Sequence, residues 1–516
     1  MKTSFSLAAV LSAFVFSFFG LCPLNAQTPA PSATPSPAAS PATFPRERFQ
    51  VFAANATKLK KFNDAVKVMK ARPVSDKTSW AYWANIHGVS GASNPEWNQC
   101  RHAHWWFVAW HRAYVLELEH QLQAAINDPT FRLPYWDYLD AGQRKIPPAF
   151  KKTTSSLFES NRNGSEVGFE AIDLQKTFGA MQYLGSILAG GFGGASVSSG
   201  TISGAFSKRG RMEQNPHNTV HVDIGGLMGD PATAARDPIF WVHHCNIDRM
   251  WEVWIKNGPH TNPAGAFTNE TFTLPGVNGQ PVTHKVADMF DTKKLGYTYD
   301  RTNLQVQLAS SPHPPAHPMA AASASPSPSE AEPSPTVSEA SPTPEPTKPE
   351  VVLATAPKDK PISLVAKPLT VKIMTEPVAP EHNMLAPKMD HKKARKRVLL
   401  SLEGIDFTEP PKNLYKVYLN FPKADHKVAS NTPQYVGTLA FFESLDGHHG
   451  NDGSERTETF DITDALAAAK KAGNYDPKNL SVTIVPVGPP TDGRRSPPKN
   501  AKEITIKNIS IKTVDE

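Results

Sequence analysis

Two histidines stand four residues apart in "NPHNTVHVDIGG" (215–226), at His217 and His221. On a helix, four residues turn the chain through about 400°, so both imidazoles lie on one face and can reach a single metal ion. Zinc proteases carry a glutamate directly after the first histidine of such a pair, as a general base, whereas Asn218 stands there in this chain. The spacing therefore indicates a metal site that is not built for base-assisted hydrolysis.

A third ligand is available in "FWVHHCNIDRMW" (240–251), where His243 and His244 lie on an amphipathic helix. Either imidazole could complete the site. Asp248 follows His244 by one helical turn, so its carboxylate could orient a ligand histidine from behind.

A second group of histidines precedes this one, in a stretch rich in tryptophan. It comprises His87, His102, His104, His111 and His120. By helical periodicity His104 and His111 share a face, whereas His102 could join His111 only from a position just before the helix begins. Two clusters built from histidine favour copper over calcium or magnesium, and the ligand type alone also allows zinc.

Chain length and net charge limit the number of domains and the kinds of partner that are plausible. The chain has 516 residues and a net charge of +6. That length is enough for more than one domain, and so small a charge argues against a nucleic-acid-binding surface.

The N-terminus predicts export. Residues 1–26 have one lysine, an apolar run and a small residue at Ala26, as a cleaved secretory signal does. We therefore expect a secreted or periplasmic protein without a stable membrane span. The mature chain would keep Cys100 and Cys245, each close to histidines, which suggests local chemistry rather than a structural disulfide.

Low-complexity stretches divide the rest of the chain. A Pro/Ala/Ser-rich tether is expected at 27–44 and a Pro-rich linker at 306–394, since such compositions cannot bury enough apolar surface to fold. The body at 45–305 is predicted to be mainly α-helical. The tail at 395–516 alternates apolar and polar residues between turn residues, which predicts an all-β sandwich.

Five motifs in the body occur together: "CRHAHWWFVAWHR", "LPYWDY", "PHNTVH", "DPIFWVHHCNIDRMW" and "LGYTYD". In these residues the chain resembles the tyrosinase family of type-3 dicopper proteins. The resemblance implies a four-helix bundle with two copper ions, and oxidation of phenols by O2 to o-quinones. Transferred by position, it implies His87, His102 and His111 for the first copper, and His217, His221 and His244 for the second.

The family pattern thus favours His102 over His104, and His244 over His243. It also implies a thioether bond between Cys100 and His102. Asn218, with Glu213 just upstream, matches a pair proposed in the family to hold the water that deprotonates monophenols. Pro231 occupies a gate position that is bulky in many plant enzymes.

These features favour a tyrosinase over a catechol oxidase without monophenolase activity. A hemocyanin-like oxygen carrier is a further alternative.

The tail resembles the C-terminal domain of plant polyphenol oxidases, which covers the copper site of a latent proenzyme and inserts one side chain. Phe441, Phe442 and Leu445 are the candidates for that plug. An activating protease would then cut between the two domains.

Overall fold

The computed structural model describes residues 43–168, 210–302 and 350–515, apart from short gaps. The gaps are 103, 105, 211, 257–261, 263–264, 358–361, 388, 390–395, 410, 429–431, 443–455, 474, 493 and 499–502. The predicted signal, most of the tether, the linker up to residue 349, and Leu445 lie outside the described residues.

Helices dominate the body. They are α1 (Phe49–Ala54), α2 (Ala56–Lys70), α3 (Trp80–His87), α4 (Phe107–Ala125), α5 (Thr219–Ile224), α6 (Ile239–Lys256) and the short α7 (Ala266–Asn269). Local signals begin two of them, since Asn55 accepts hydrogen bonds from the first turn of α2 and Ser79 does so for α3. A wide helical segment, Glu213–Asn218, runs directly into α5 and is interrupted by the extended Asn215.

Two small sheets complete the body. Strand β1 (Phe44–Arg46) pairs in parallel with β4 (Tyr297–Tyr299), and β2 (Thr271–Pro275) forms an antiparallel hairpin with β3 (Pro281–Lys285). The β1–β4 pair joins the two ends of the body.

The tryptophans that stand out in the sequence build the body's core. Five of them have at most 2% of their surface exposed: Trp83, Trp110, Trp136, Trp241 and Trp251. These rings pack around and between α3, α4 and α6, the helices that carry candidate metal ligands. The histidines are therefore held in a dry, rigid surrounding.

The tail is an antiparallel β domain. Its strands are β5 (Val351–Thr355), β6 (Ile362–Leu364), β7 (Leu369–Thr375), β8 (Lys396–Asp406), β9 (Leu414–Leu419), β10 (Tyr435–Leu439), β11 (Arg456–Asp461), β12 (Leu480–Val487), β13 (Pro490–Thr491), β14 (Arg494–Arg495) and β15 (Ile504–Asp515). The main sheet runs β10-β9-β12-β7-β5-β15-β8-β11, with β6 beside β15. Helix α8 (Thr463–Lys471) packs against β8.

The sheet folds over on itself to enclose one apolar core. Its two end strands meet where Gly437 of β10 lies against the Phe460 ring of β11, so closely that a Cβ at Gly437 would be 2.7 Å from that ring. Inward-facing residues of both halves share one cluster, as Leu400 of β8 and Val417 of β9 illustrate. The helical body and β tail are thus as expected.

The predicted linker is wrong in its C-terminal part. The prediction placed 306–394 in the linker, whereas β5, β6 and β7 lie between 351 and 375 and pair with β15 and β12 of the sheet. Those strands are short and flanked by prolines, so the surrounding composition masked them. Besides the pairing of β5 with β7, their backbone groups bond to strands more than a hundred residues away, which local sequence does not reveal.

Candidate metal centre

The first cluster of candidate ligands consists of three histidines and a cysteine, all buried. One potential ligand atom from each lies within 4.8 Å of the others: His87, Cys100, His102 and His111. His87 is the last residue of α3, and His111 lies in the second turn of α4. His102 lies before α4 begins, in the position that the spacing required.

The second cluster, also buried, consists of four histidines. Their ring nitrogens meet the same 4.8 Å criterion: His217, His221, His243 and His244. The segment before α5 supplies the first, α5 the second, and α6 the adjacent pair. His217 and His221 do lie on one side of the chain, with ring centroids 4.6 Å apart.

The two clusters face each other. The His111 and His244 rings stack with centroids 4.3 Å apart at 13°, and His102 and His217 are 5.4 Å apart. Two metal ions held in these clusters would therefore be close neighbours at one site.

Backbone carbonyls orient several of the rings. Nδ1 of His87 lies 2.9 Å from the Pro231 carbonyl oxygen. Nδ1 of His111 lies 2.8 Å from the Phe107 carbonyl oxygen, and Nδ1 of His221 lies 2.8 Å from that of Met228. A carbonyl can only accept, so each of these Nδ1 atoms carries the proton. The opposite nitrogen, Nε2, then offers its lone pair to a metal.

The second cluster has buried ring nitrogens without a hydrogen-bond partner in the described part of the chain. Within the described residues, Nε2 of His217 and His221 and both ring nitrogens of His244 have no hydrogen-bond partner. Burial, together with repulsion from neighbouring imidazoles, lowers the pKa of all three well below the usual value. Neutral, buried imidazoles with free lone pairs fit a transition metal such as copper.

The structure brings His102, and not His104, to the first cluster. The His104 ring stacks on Trp106 at 4.3 Å, and its Nδ1 accepts a hydrogen bond from the Trp106 backbone. Burial lowers the pKa of His104 to about 4. Its neutral ring therefore serves the turn that leads into α4.

His243 and His244 differ in their contacts, although both belong to the second cluster. Nδ1 of His243 lies 2.9 Å from the Tyr138 hydroxyl, and its ring stacks beside His217. His244 has no such polar partner and faces His111 of the first cluster. Nε2 of His243 also has no hydrogen-bond partner among the described residues, so both rings offer a nitrogen to a metal, and only His244 stacks on a ring of the first cluster.

Cys100 lies against the His102 ring. Its Sγ is 3.4 Å from Nε2 and 3.6 Å from Nδ1. The ring carbon between these two nitrogens therefore faces the sulfur, as a thioether bond would require. Burial raises the pKa of the Cys100 thiol, with a further contribution from Glu213.

Asp248 has a different role from the one predicted. Its carboxylate accepts hydrogen bonds from Arg46, Arg112, Tyr297 and Tyr299. Among the described residues, these donors and not a ligand histidine are its partners. Asp248 does lie one helical turn after His244 on α6, but its carboxylate faces two buried arginines, Arg46 and Arg112. Asp248 pairs with both of them, together with Glu119 at Arg46 and Glu252 at Arg112.

The residues predicted to assist the reaction are near the second cluster. Glu213 is 1% exposed, and Asn218 Oδ1 accepts a hydrogen bond from Nδ1 of His217 at 2.8 Å. Pro231, the predicted gate, is buried, and its carbonyl binds His87.

Sequence reasoning did not find Tyr138 or the carbonyl acceptors, whose roles depend on tertiary contacts. Phe240, which lies 4.1 Å from His244, was visible only as part of an apolar helix.

Phe442 of the tail reaches into this centre. Its ring stacks on His221 with centroids 3.7 Å apart at 14°, and it lies 5.4 Å from His102. Phe442 packs with the body's core, whereas the adjacent Phe441 packs in the tail's own core. Of the predicted plug candidates, the structure places Phe442 at the site.

Together, the fold and the site define a class: a helical protein with a buried dinuclear metal centre built from imidazoles, joined to a β domain. Residues 77–186 and 173–257 match the common central domain of tyrosinase, and 350–514 match a domain of unknown function. Tyrosinase HcTyr1 of Hahella sp. (strain CCB-MM4) is 27% identical over 86% of this chain and 95% of its own length.

Two plant relatives of higher identity match over a shorter span. Aureusidin synthase of Antirrhinum majus is 31% identical over 54% of this chain, and a chloroplastic polyphenol oxidase of Spinacia oleracea is 34% identical over 48%. The chain spans 56% and 45% of their respective lengths.

Solved structures share the fold of both domains. A latent apple tyrosinase superimposes with a TM-score of 0.61 at 21% identity, covering 93% of this chain and 98% of that one. A recombinantly expressed latent aurone synthase gives a TM-score of 0.61 at 17% identity, covering 92% and 89%.

Residues 77–257 thus carry the central domain of tyrosinase, and most of the chain is similar to tyrosinases and polyphenol oxidases, which are copper oxidoreductases. Its two histidine clusters are suited to the family's pair of copper ions. Among the described residues, no helix has the length and apolar character needed to span a bilayer.

Proposed function

We propose that this protein is an exported tyrosinase, made as a latent proenzyme, which hydroxylates monophenols and oxidises o-diphenols to o-quinones with O2. The observation that carries the proposal is the pair of buried histidine clusters facing each other across 4.3 Å at His111 and His244. The ligands would be His87, His102 and His111 for one copper, and His217, His221 and His244 for the other.

Copper supplies the redox chemistry with O2 when it is bound, and the chain supplies everything else. Backbone carbonyls hold the rings of His87, His111 and His221 with Nε2 directed to the metals. The tryptophan-rich core excludes water and prevents these rings from turning. The ring of a phenol would take the place of Phe442 against His221.

Monophenols need one further step, because the hydroxyl must lose its proton before it is oxidised. Asn218 is fixed by its hydrogen bond with His217, and Glu213 is buried on the segment that leads to it. A water held by this amide and this carboxylate would accept the proton. Glu213 and Asn218 therefore support a tyrosinase rather than a catechol oxidase.

Latency is explained by Phe442. While its ring covers His221, an aromatic substrate cannot reach the same face. Cleavage between the domains, in residues 306–349, would free the tail to leave once its contacts with the body open. An activating protease is accordingly a proposed partner, and residues 1–26 are proposed to direct export.

The first experiment compares mono- and diphenol oxidation before and after linker cleavage of the copper-loaded chain. We expect quinone formation to rise once the cleaved tail has been removed from the body, and tyramine to be hydroxylated. Oxidation of diphenols alone would identify a catechol oxidase, and reversible O2 binding without turnover would identify a carrier.

Phe442→Ala tests the plug in the uncleaved chain, because it removes the ring and leaves the linker intact. We expect it to raise diphenol oxidation, whereas Phe441→Ala should chiefly destabilise the tail, by about 3–5 kcal/mol. The neighbouring variant is a matched control, since the two phenylalanines differ in the core that they enter. An uncleaved Phe442→Ala protein as inactive as the parent would count against the plug.

We also propose the Cys100–His102 thioether. Peptide mass spectrometry of the copper-loaded protein should find the peptides that contain Cys100 and His102 joined. Their combined mass should be lower by two hydrogen atoms than the sum of the separate peptides. A Cys100 that alkylates normally would exclude the bond.

A further inference from the structure

Besides Phe442, the tail contacts the body at several points, and one of them lies at the outer end of α5. The hairpin of β13 and β14 brings Arg495 to Asp223, which lies in the last turn of that helix. The guanidinium donates to Oδ1 of Asp223 and also to the Gly168 carbonyl. Oδ2 of Asp223 accepts from the Gly168 backbone at 2.8 Å. Three separate segments therefore close on one ion pair.

This ion pair is buried between the two domains. The Arg495 side chain is 8% exposed and that of Asp223 is 1% exposed. An isolated charge in such a place is costly, so loss of one partner favours any rearrangement that returns the other to water. Here that rearrangement is separation of the tail from the body.

Apolar contacts surround the pair. Val222, next to Asp223, packs into a cluster of tail side chains that includes Tyr418 and Val485. Gly168 lies so close to the hairpin that a Cβ would be 2.8 Å from Pro490. The surfaces of the body and the tail are therefore complementary in shape around Arg495.

We propose that Arg495 is the latch that holds the tail closed over the dinuclear site, with Asp223 and Gly168 as its receptor. The inference rests on the proposed latency and adds the contact that maintains it. Phe442 blocks the site, whereas Arg495 keeps Phe442 in place. Since linker cleavage removes none of these contacts, a cleaved chain stays assembled until the latch opens.

The same hairpin provides an internal control. Asp492 forms an ion pair with Lys145 of the body at 3.3 Å, but its side chain is 85% exposed and that of Lys145 is 67% exposed. Solvent screens such a pair, so it contributes little to docking. Asp492→Asn removes a cross-domain charge pair without touching the latch.

The test uses the full, copper-loaded chain carrying Arg495→Met, which keeps an unbranched apolar stem and removes the charged guanidinium. We expect the uncleaved variant to oxidise diphenols about 10- to 100-fold faster than the parent, because the opened fraction rises. Asp492→Asn should oxidise diphenols at the parental rate. Arg495→Lys should have a rate between those of the parent and Arg495→Met, since an ammonium cannot donate to both acceptors as the two guanidinium nitrogens do.

Gel filtration after cleavage at an engineered site in 306–349 gives a readout that does not depend on activity. The cleaved parent should elute as one complex, and cleaved Arg495→Met as two fragments. Gly168→Ala, which places a methyl group against Pro490, provides a second route should Arg495→Met fail to fold, and it should also separate.

Co-elution of both cleaved variants together with parental activity would overturn the latch. That failure is distinct from failure of the latency proposal, in which neither Phe442→Ala nor cleavage followed by removal of the tail raises activity.

Discussion

Three rings in the centre, those of His87, His111 and His221, are held at Nδ1 by a backbone carbonyl, which leaves Nε2 for a metal. His221 shows the pattern, with Nδ1 donating to the Met228 carbonyl and Nε2 left for a metal. Because the acceptors belong to the backbone, they hold these rings independently of neighbouring side-chain chemistry. Orientation of the ligands before metal binding is therefore built into the fold.

His102 and His104 provide a sharp test of ligand identity, because they are two residues apart in the same turn. Replacing His102 by alanine should lower the affinity for one of the two coppers more than about 10-fold. His104→Ala should keep both metals, since that ring packs on Trp106 instead. Copper analysis after dialysis measures the difference, and equal loss in both variants would contradict the assignment.

At the scale of elements, short segments carry ligands and long helices support them. Helix α5 has only six residues, too few to be stable alone. It is held by the core through Val220 and Ile224 and by the tail through Val222 and Asp223. Helices α4 and α6 are 19 and 18 residues long and form the rigid side of the site.

Asp248 joins α6 to α4 and to β1 through buried charges. Burial opposes its ionisation, but the Arg112 and Arg46 guanidiniums outweigh this and lower the pKa of Asp248. Asp248→Asn should reduce the free energy of unfolding by about 3–5 kcal/mol, because both arginines lose a charged partner. Urea denaturation measures this. The folded variant should still bind two coppers, and a selective loss of metal would restore the predicted ligand-orienting role.

Glu117 connects α4 to β3 and makes stability depend on acidity. Burial raises its pKa, but hydrogen bonds from His120 and His284 outweigh this and lower the pKa to about 2. A depressed carboxyl pKa stabilises the fold above the ordinary value of 4.5, and this stability is lost as pH falls toward 2.

Glu117→Gln should therefore be less stable than the parent near pH 5, by roughly 1–3 kcal/mol. The two proteins should converge as the pH approaches 2. Denaturation across this range measures the difference, and a gap that stays constant with pH would show that Glu117 does not titrate in this way.

For the whole molecule, metal and fold should be coupled. The centre joins four chain segments through neutral imidazoles, and a bound metal stabilises only the folded state. At a free copper concentration about 1,000 times Kd, each site would add about 4 kcal/mol. Calorimetry should therefore show Tm falling when a chelator removes copper and recovering when copper is returned. An unchanged Tm would mean that the clusters do not hold metal.

The sequence alone determined what depends on local spacing. His217 and His221 share a face because of helical periodicity, and the alternating residues of the tail indicated a β domain. These features need only the chain's immediate geometry.

Only the tertiary structure decided which of several equivalent side chains meet. It brought His102 to His111 and left His104 on Trp106, gave Asp248 to arginines, and selected Phe442 over Phe441. It also showed that Arg495 reaches Asp223 across 272 positions of sequence. Such contacts arise when separate elements pack together, and a linear pattern carries no record of which distant groups will neutralise or cover one another.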